Sequence, residues 1–376
     1  MDFDLILHGN KEFYSGLNNK TYYILKVDTE KKIKWMSNFF TDFINKAKTN
    51  NKKHYLGIDF EFNRVRKTHR NVALMQINLE IDDDINGYII VLYPPELPKN
   101  DLDLLIKLVS EPVIIKILHG AESLDIPYMF DQLLNSNQKL INGLCTNFYD
   151  TKYLCDYMHI SEKIKKSCSI YYLLTENKII TEEKIIELES IEERTGPLYL
   201  INIDIHNLST DIFNYSLYDV LYLPELIKKY IKKGIVYEKI IPQITCASFK
   251  FKRNIETEFY ELEKIVSTFN NYFILNHTNK INLNLIWEFY YYSIGNNYIF
   301  HIKEISNFKK FIEIITKMII YDHVIQIFTV YKNNKKKLNK TDLDIFNKFY
   351  YWIEKYSDLF NLINDYSNII IYDLIY

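Results

Sequence analysis

Two carboxylates stand two residues apart in the most strand-like stretch of the chain, residues 54–63 (His-Tyr-Leu-Gly-Ile-Asp-Phe-Glu-Phe-Asn). Leu56, Ile58, Phe60 and Phe62 alternate with Gly57, Asp59, Glu61 and Asn63, the period of a strand, so one face is apolar and the other sets Asp59 beside Glu61. Like charges this close require a counter-charge. A hard divalent cation, which takes several carboxylate oxygens at once, is the chemical match. Two more acids can complete the set. Asp125 follows His119-Gly120 at the end of the apolar run 113–118, in the first turn of an expected helix beside the C-terminal edge of a parallel strand, the usual place for a site in an α/β sheet. Asp219 lies in mid-helix with Tyr215 one turn earlier on the same face. Singly, these residues have plainer readings: a solvated strand face, an acid favoured by a helix dipole, a core tyrosine, a surface acid.

The elements that must position them are legible in outline. Residues 1–20 read as an irregular extension, 22–27 as a first strand, and Asp28-Thr29-Glu30 as the cap of a helix to about Lys48. Three strands follow over 54–63, 72–81 and 88–93, an antiparallel meander. A helix over 102–109 and the buried strand 113–118 come next. Further helices are expected from near Glu122 and over roughly 147–159, 167–175 and 181–193. A last one is capped by 207–211 and runs through Tyr222, and Pro224 kinks or restarts it. Strands followed by a β-α-β alternation make an α/β layer fold with a mixed sheet. Past about residue 240, apolar-periodic segments around 255–270, 283–293, 305–330 and 342–365 predict a separate helical domain.

Asp59-Phe60-Glu61, then His119-Gly120 with Asp125, then Tyr215-x-x-x-Asp219-Val220-x-Tyr222-Leu223 resemble, in order and spacing, the three motifs of DEDD-superfamily exonucleases. The tyrosine four residues before the last acid is similar to the DEDDy branch, in particular the ribonuclease D-like 3′-5′ exonucleases. Met75-Gln76-Ile77, Asp150-Thr151 and Leu208-Ser209 are smaller echoes, whereas Ser216-Leu217-Tyr218 replaces the small residues usual there. The resemblance implies a ribonuclease H-like mixed sheet flanked by helices over 21–237, ahead of the helical C-terminal domain 238–376. It implies that Asp59, Glu61 and Asp219 hold one metal ion, with Asp59 bridging to a second that Asp125 supports through water. Tyr215 would orient the attacking water. All-oxygen ligands point to two divalent cations, Mg2+ or Mn2+. The implied reaction is hydrolysis of phosphodiester bonds from the 3′ end of single-stranded RNA or DNA, with RNA slightly favoured. The alternative is a catalytically silent nuclease-fold scaffold that binds nucleic acid or a protein partner.

Other positions carry lesser expectations. The basic turn of Arg64, Arg66, Lys67 and Arg70 could bind phosphates of the incoming strand, or be a solvated hairpin turn. His119 could touch substrate, though a structural histidine at a strand end is preferred. Gln76 is expected to be a buried hydrogen-bonding residue beside the acidic strand, and Asp150 a helix cap. In the C-terminal part, the aromatic run 289–292 and the lysine-rich loop 332–340 read as helix core and mobile loop. The helical domain could mediate self-association or bind a protein partner.

Composition sets bounds. The 376 residues suit one large and one smaller domain, with 48% hydrophobic and 25% charged residues. A formal net charge of −2 gives no global field for a polyanion. Much of the excess of Tyr and Asn follows an AT-rich coding sequence rather than chemistry. Cys145, Cys155, Cys168 and Cys246 lack C-x-x-C spacing and are expected as reduced thiols in an intracellular, cytoplasmic or nuclear, soluble protein. The acidic start and the lack of a long apolar run predict no signal peptide and no membrane span.

Overall fold

The computed structural model describes residues 2–8, 20–65, 70–161, 164, 166–195 and 201–243, with 245, 246 and 249. Arg66 and Lys67, and almost all of the expected C-terminal domain with its aromatic run and lysine-rich loop, lie outside the described residues. The chain divides into two compact units, residues 1–155 with 167–242 and residues 156–166 with 243–376, and the sheet belongs to the first.

The first half of the chain runs β1 (Leu5–His8), β2 (Thr21–Lys26), α1 (Glu30–Thr49), β3 (His54–Arg64), β4 (Arg70–Ile81), β5 (Asn86–Leu92), α2 (Lys99–Val109) and β6 (Ile115–Leu118). Then come α3 (Asp125–Pro127), α4 (Gln138–Cys145), β7 (Phe148–Asp150), α5 (Thr151–Ser161), α6 (Ile170–Glu176), α7 (Glu182–Thr195), α8 (Thr210–Leu221) and α9 (Leu223–Ile231). The strands form a mixed sheet flanked by helices, in the order β1-β2-β5-β4-β3-β6-β7. β3, β4 and β5 pair antiparallel as the expected meander, while β6 and β7 add parallel beyond β3.

The two faces of β3 meet different partners. Its apolar face is buried, with Leu56 and Ile58 fully enclosed, and Phe60 and Phe62 reach the ring of Tyr128 at 5.2 and 6.1 Å between centroids. On the other face α8 and α9 lie so close that a Cβ on Gly57 would come within 3.2 Å of the Val220 carbonyl oxygen. A glycine there lets the helix pair approach the strand that carries the acids. Pro224 sits in the first turn of α9, where its missing N–H costs nothing, so the expected restart occurs.

Several expectations are corrected. The N-terminal extension is not wholly irregular: β1 pairs antiparallel with β2, and Asp4 accepts from the Lys26 backbone N–H at 2.7 Å and from Lys32 Nζ at 2.8 Å. Four half-exposed edge residues are too few to show a period. The helix expected near Glu122 begins only at Asp125, and the chain then widens into a π-type turn over Tyr128–Leu133. The helix expected from 147 starts at Thr151, because residues 148–150 are strand β7. Cys155 and Cys168, expected as thiols, form a disulfide with their Cα atoms 5.9 Å apart. Whether two cysteines thirteen residues apart come within bonding distance is not encoded by sequence spacing.

Candidate active site

β3 outruns its neighbour. It pairs with β6 only from Tyr55 to Gly57, so Asp59 and Glu61 stand beyond the end of β6, and a register shift between Glu61 and Phe62 bends the strand just past them. α8 crosses this face with Asp219 in its second half. Carboxylate oxygens of Asp59, Glu61 and Asp219 all lie within 4.8 Å of one another. Asp125 is outside that group of three, yet its charge acts on Glu61, and the charges of Asp59 and Asp219 act on it. All four acids therefore share one neighbourhood at the C-terminal edge of β3 and β6. Tyr215 is half-buried one turn before Asp219 on α8.

Burial and repulsion make this neighbourhood costly for bare negative charge. Burial pushes Asp59 up to about 7. Glu61 is held well above the usual carboxylate range by burial and by the charges of Asp59 and Asp125. Burial does the same to Asp125, aided by Asp59, Asp150 and Asp219. Without positive charge, the set cannot ionise fully near neutral pH. The donors fit a hard divalent cation: they are all carboxylate oxygens, three are close enough to share an ion, and a cation removes the repulsion.

Residues outside the four acids position this set. Gly120 has φ +67, a left-handed conformation suited to glycine. The buried Asp150 carboxylate accepts from the backbone N–H groups of Gly120 at 2.9 Å, Ala121 at 2.9 Å and Lys152 at 3.0 Å. It thus fixes the turn leading to Asp125 as well as capping the start of α5. Asn63 was not anticipated at all. It accepts from the Ile203 N–H at 2.7 Å and donates to the Ile203 carbonyl at 2.8 Å, clipping the approach to α8 onto the end of β3. The available signal was its place on the face of Asp59 and Glu61, two residues further on.

His119 takes the structural place preferred for it. Its Nδ1 lies 2.9 Å from Thr151 Oγ1, and its ring also bonds the backbone of Cys168. Burial, with the nearby Lys152 charge, lowers it to about 3, so the ring is neutral at neutral pH. Arg64 and Arg70 are exposed and sit opposite each other where β3 and β4 meet. Gln76 is buried beside the acidic strand as expected, and the register sets it opposite Asp59, but neither of its amide atoms finds the expected hydrogen-bond partner. Among the described residues, no helix is long and apolar enough to cross a membrane.

No protein-family model matches the chain. It is 26% identical over 368 residues to the uncharacterized protein L533 of Acanthamoeba polyphaga mimivirus, a match that takes in 88% of this chain and 70% of that protein. Among solved structures it is similar to the catalytic core of RRP6 from Trypanosoma brucei, with TM-score 0.37, 13% identity and 63% of this chain covered. The chain spans 50% of that structure's length. It is also similar to the EXO domain of Aedes aegypti Nibbler, with TM-score 0.34 and 16% identity over 61% of this chain and 94% of that one. A third similar structure is Escherichia coli RNase D, an exoribonuclease involved in structured RNA processing, with TM-score 0.41 and 10% identity over 92% of this chain and 74% of that one.

Proposed function

We propose that this chain is a divalent-cation-dependent 3′-5′ exonuclease that hydrolyses phosphodiester bonds at the 3′ end of single-stranded nucleic acid, RNA in preference to DNA. The observation that carries the reading is the convergence of Asp59, Glu61 and Asp219 within 4.8 Å, with Asp125 in electrostatic reach. A silent scaffold has no use for crowded, half-buried carboxylates that repel one another, since their repulsion destabilises the fold unless a cation is held.

Asp59, Glu61, Asp125 and Asp219 would hold two Mg2+ or Mn2+ ions. When bound, these would supply charge stabilisation to the phosphodiester oxygens and lower the pKa of water. The protein's own part is positioning. β3 fixes Asp59 and Glu61, the Asp150-braced turn fixes Asp125, and α8 delivers Asp219 and Tyr215 together. Tyr215 would orient the attacking water through its hydroxyl. Arg64 and Arg70 would steady phosphates of the incoming strand. Digestion of matched 5′-labelled RNA and DNA oligonucleotides, with the released nucleotides identified, tests the assignment. Stepwise shortening with nucleoside 5′-monophosphates as product, faster on RNA, is expected. Internal cuts, or shortening from the 5′ end, would overturn it.

A further inference from the structure

β4 spends one face of a central strand on polar groups. Gln76, Asn78 and Glu80 follow one another on the side facing α8 and α9, and their exposures are 0%, 0% and 1%. Buried polar groups are normally hydrogen-bonded; Glu80 is, and Asn78 is through its Nδ2, though its Oδ1 has no partner. Glu80 accepts from the Tyr22 hydroxyl at 2.8 Å and from Asn78 Nδ2 at 3.2 Å, and pairs with Lys20. Asn78 Nδ2 also donates to the carbonyls of Val220 at 3.2 Å and Leu221 at 3.1 Å, the last turn of α8. The row thereby holds the end of the helix that carries Asp219.

Gln76 alone of the three has no side-chain hydrogen bond. It directly opposes Asp59 in the β3–β4 register, and opposed residues project from the same face with Cβ atoms about 5 Å apart. Both its amide oxygen and its amide nitrogen are buried without a hydrogen-bond partner. A buried donor with nothing to donate to is costly, and an ionised carboxylate beside it is the acceptor it lacks.

We propose that Gln76 is a positioning residue of the cation site, whose amide N–H donates to the Asp59 carboxylate when a divalent cation is bound there. The inference rests on reading the acid cluster as a cation site. Outer partners of ligating carboxylates fix the ligand's orientation, and losing one typically weakens metal affinity tenfold to a hundredfold. Asn78 and Gln76 then act at the two ends of the acid set, one on the helix of Asp219 and the other on Asp59.

The test is Mn2+ binding to the full chain without substrate, measured by calorimetry for wild type and Gln76→Met, beside thermal melting without metal. Gln76→Leu, a smaller apolar replacement, gives a second reading if methionine overfills the space. The expected result is about tenfold or weaker Mn2+ affinity, with metal-free melting unchanged or raised because two unpartnered polar atoms are gone. Wild-type affinity in both variants overturns the positioning role, whatever happens to melting. A wild-type chain that binds no Mn2+ overturns the cation-site reading itself, so the two failures are told apart.

Discussion

At the scale of single residues, Asp59 is where the sequence pattern, the register and the electrostatics agree. It lies within 4.8 Å of both Glu61 and Asp219, opposes Gln76, and is pushed up to about 7 by burial. Asp59→Asn removes the charge and keeps the shape. Activity should fall by about a thousandfold or more, while the metal-free protein melts at the same or a higher temperature because buried repulsion is relieved. Paired rate and melting measurements check both halves. His119 gives a different prediction. Its folded-state value of about 3 lies below its ordinary 6.5, so its contribution to stability is full above about pH 6.5 and is lost as pH falls toward 3. That contribution is on the order of a few kcal/mol at most. Urea unfolding at pH 7.5 and pH 4.5 should show a smaller acid loss in His119→Gln than in wild type. Equal losses would remove the histidine from the acid response.

At the scale of elements, close approaches set the geometry. Gly57 brings α8 and α9 onto β3 with the Val220 carbonyl oxygen 3.2 Å from where a Cβ would sit. Gly57→Ala should push the helix pair out by a few tenths of an ångström, cost about 1 kcal/mol or more, and weaken Mn2+ binding because Asp219 moves with α8. Calorimetry and melting on the purified variant would show whether both effects appear. Gly143 is tighter, since a Cβ there would meet the Ser110 carbonyl oxygen at 2.2 Å. Gly143→Ala should therefore destabilise by about 2 kcal/mol or more without touching cation affinity. The elements also show what a sequence can and cannot reveal. β3 and α1 are legible because their apolar periods run for ten residues or more, and Thr29 caps α1 as expected. β1 and β7 are too short for a period to emerge, and β1 at the sheet edge buries too little to need one. The pairs Asp59–Glu61 and Tyr215–Asp219 are legible because their spacing is local to one strand or one helix. The clip of Asn63 on Ile203, the Cys155–Cys168 disulfide and the opposition of Gln76 to Asp59 depend on residues distant in sequence, so no local pattern announces them.

At the scale of the whole molecule, the fold bears a stability cost for its site. Asp59 titrates higher in the folded chain than its ordinary 3.8, and Glu61 and Asp125 are shifted in the same direction. Groups with raised values favour the folded state at low pH and lose that contribution as pH rises through them. The metal-free protein should thus lose stability from about pH 4 toward pH 7 through these groups, and Mn2+ should restore it by binding the folded state. Melting curves across that range, with and without Mn2+, would reveal the gap, and curves that stay parallel would contradict it. On the proposed reading, a divalent cation held by the acid cluster would neutralise it before a polyanion approaches, because a formal net charge of −2 provides no attraction of its own. The most direct test of the account is the fate of a 5′-labelled single-stranded oligonucleotide incubated with Mn2+ and either the wild-type chain or Asp59→Asn. The account predicts a ladder shrinking from the 3′ end with wild type, stopped by a chelator and absent with Asp59→Asn. No ladder with wild type, or the same ladder with the variant, would contradict it.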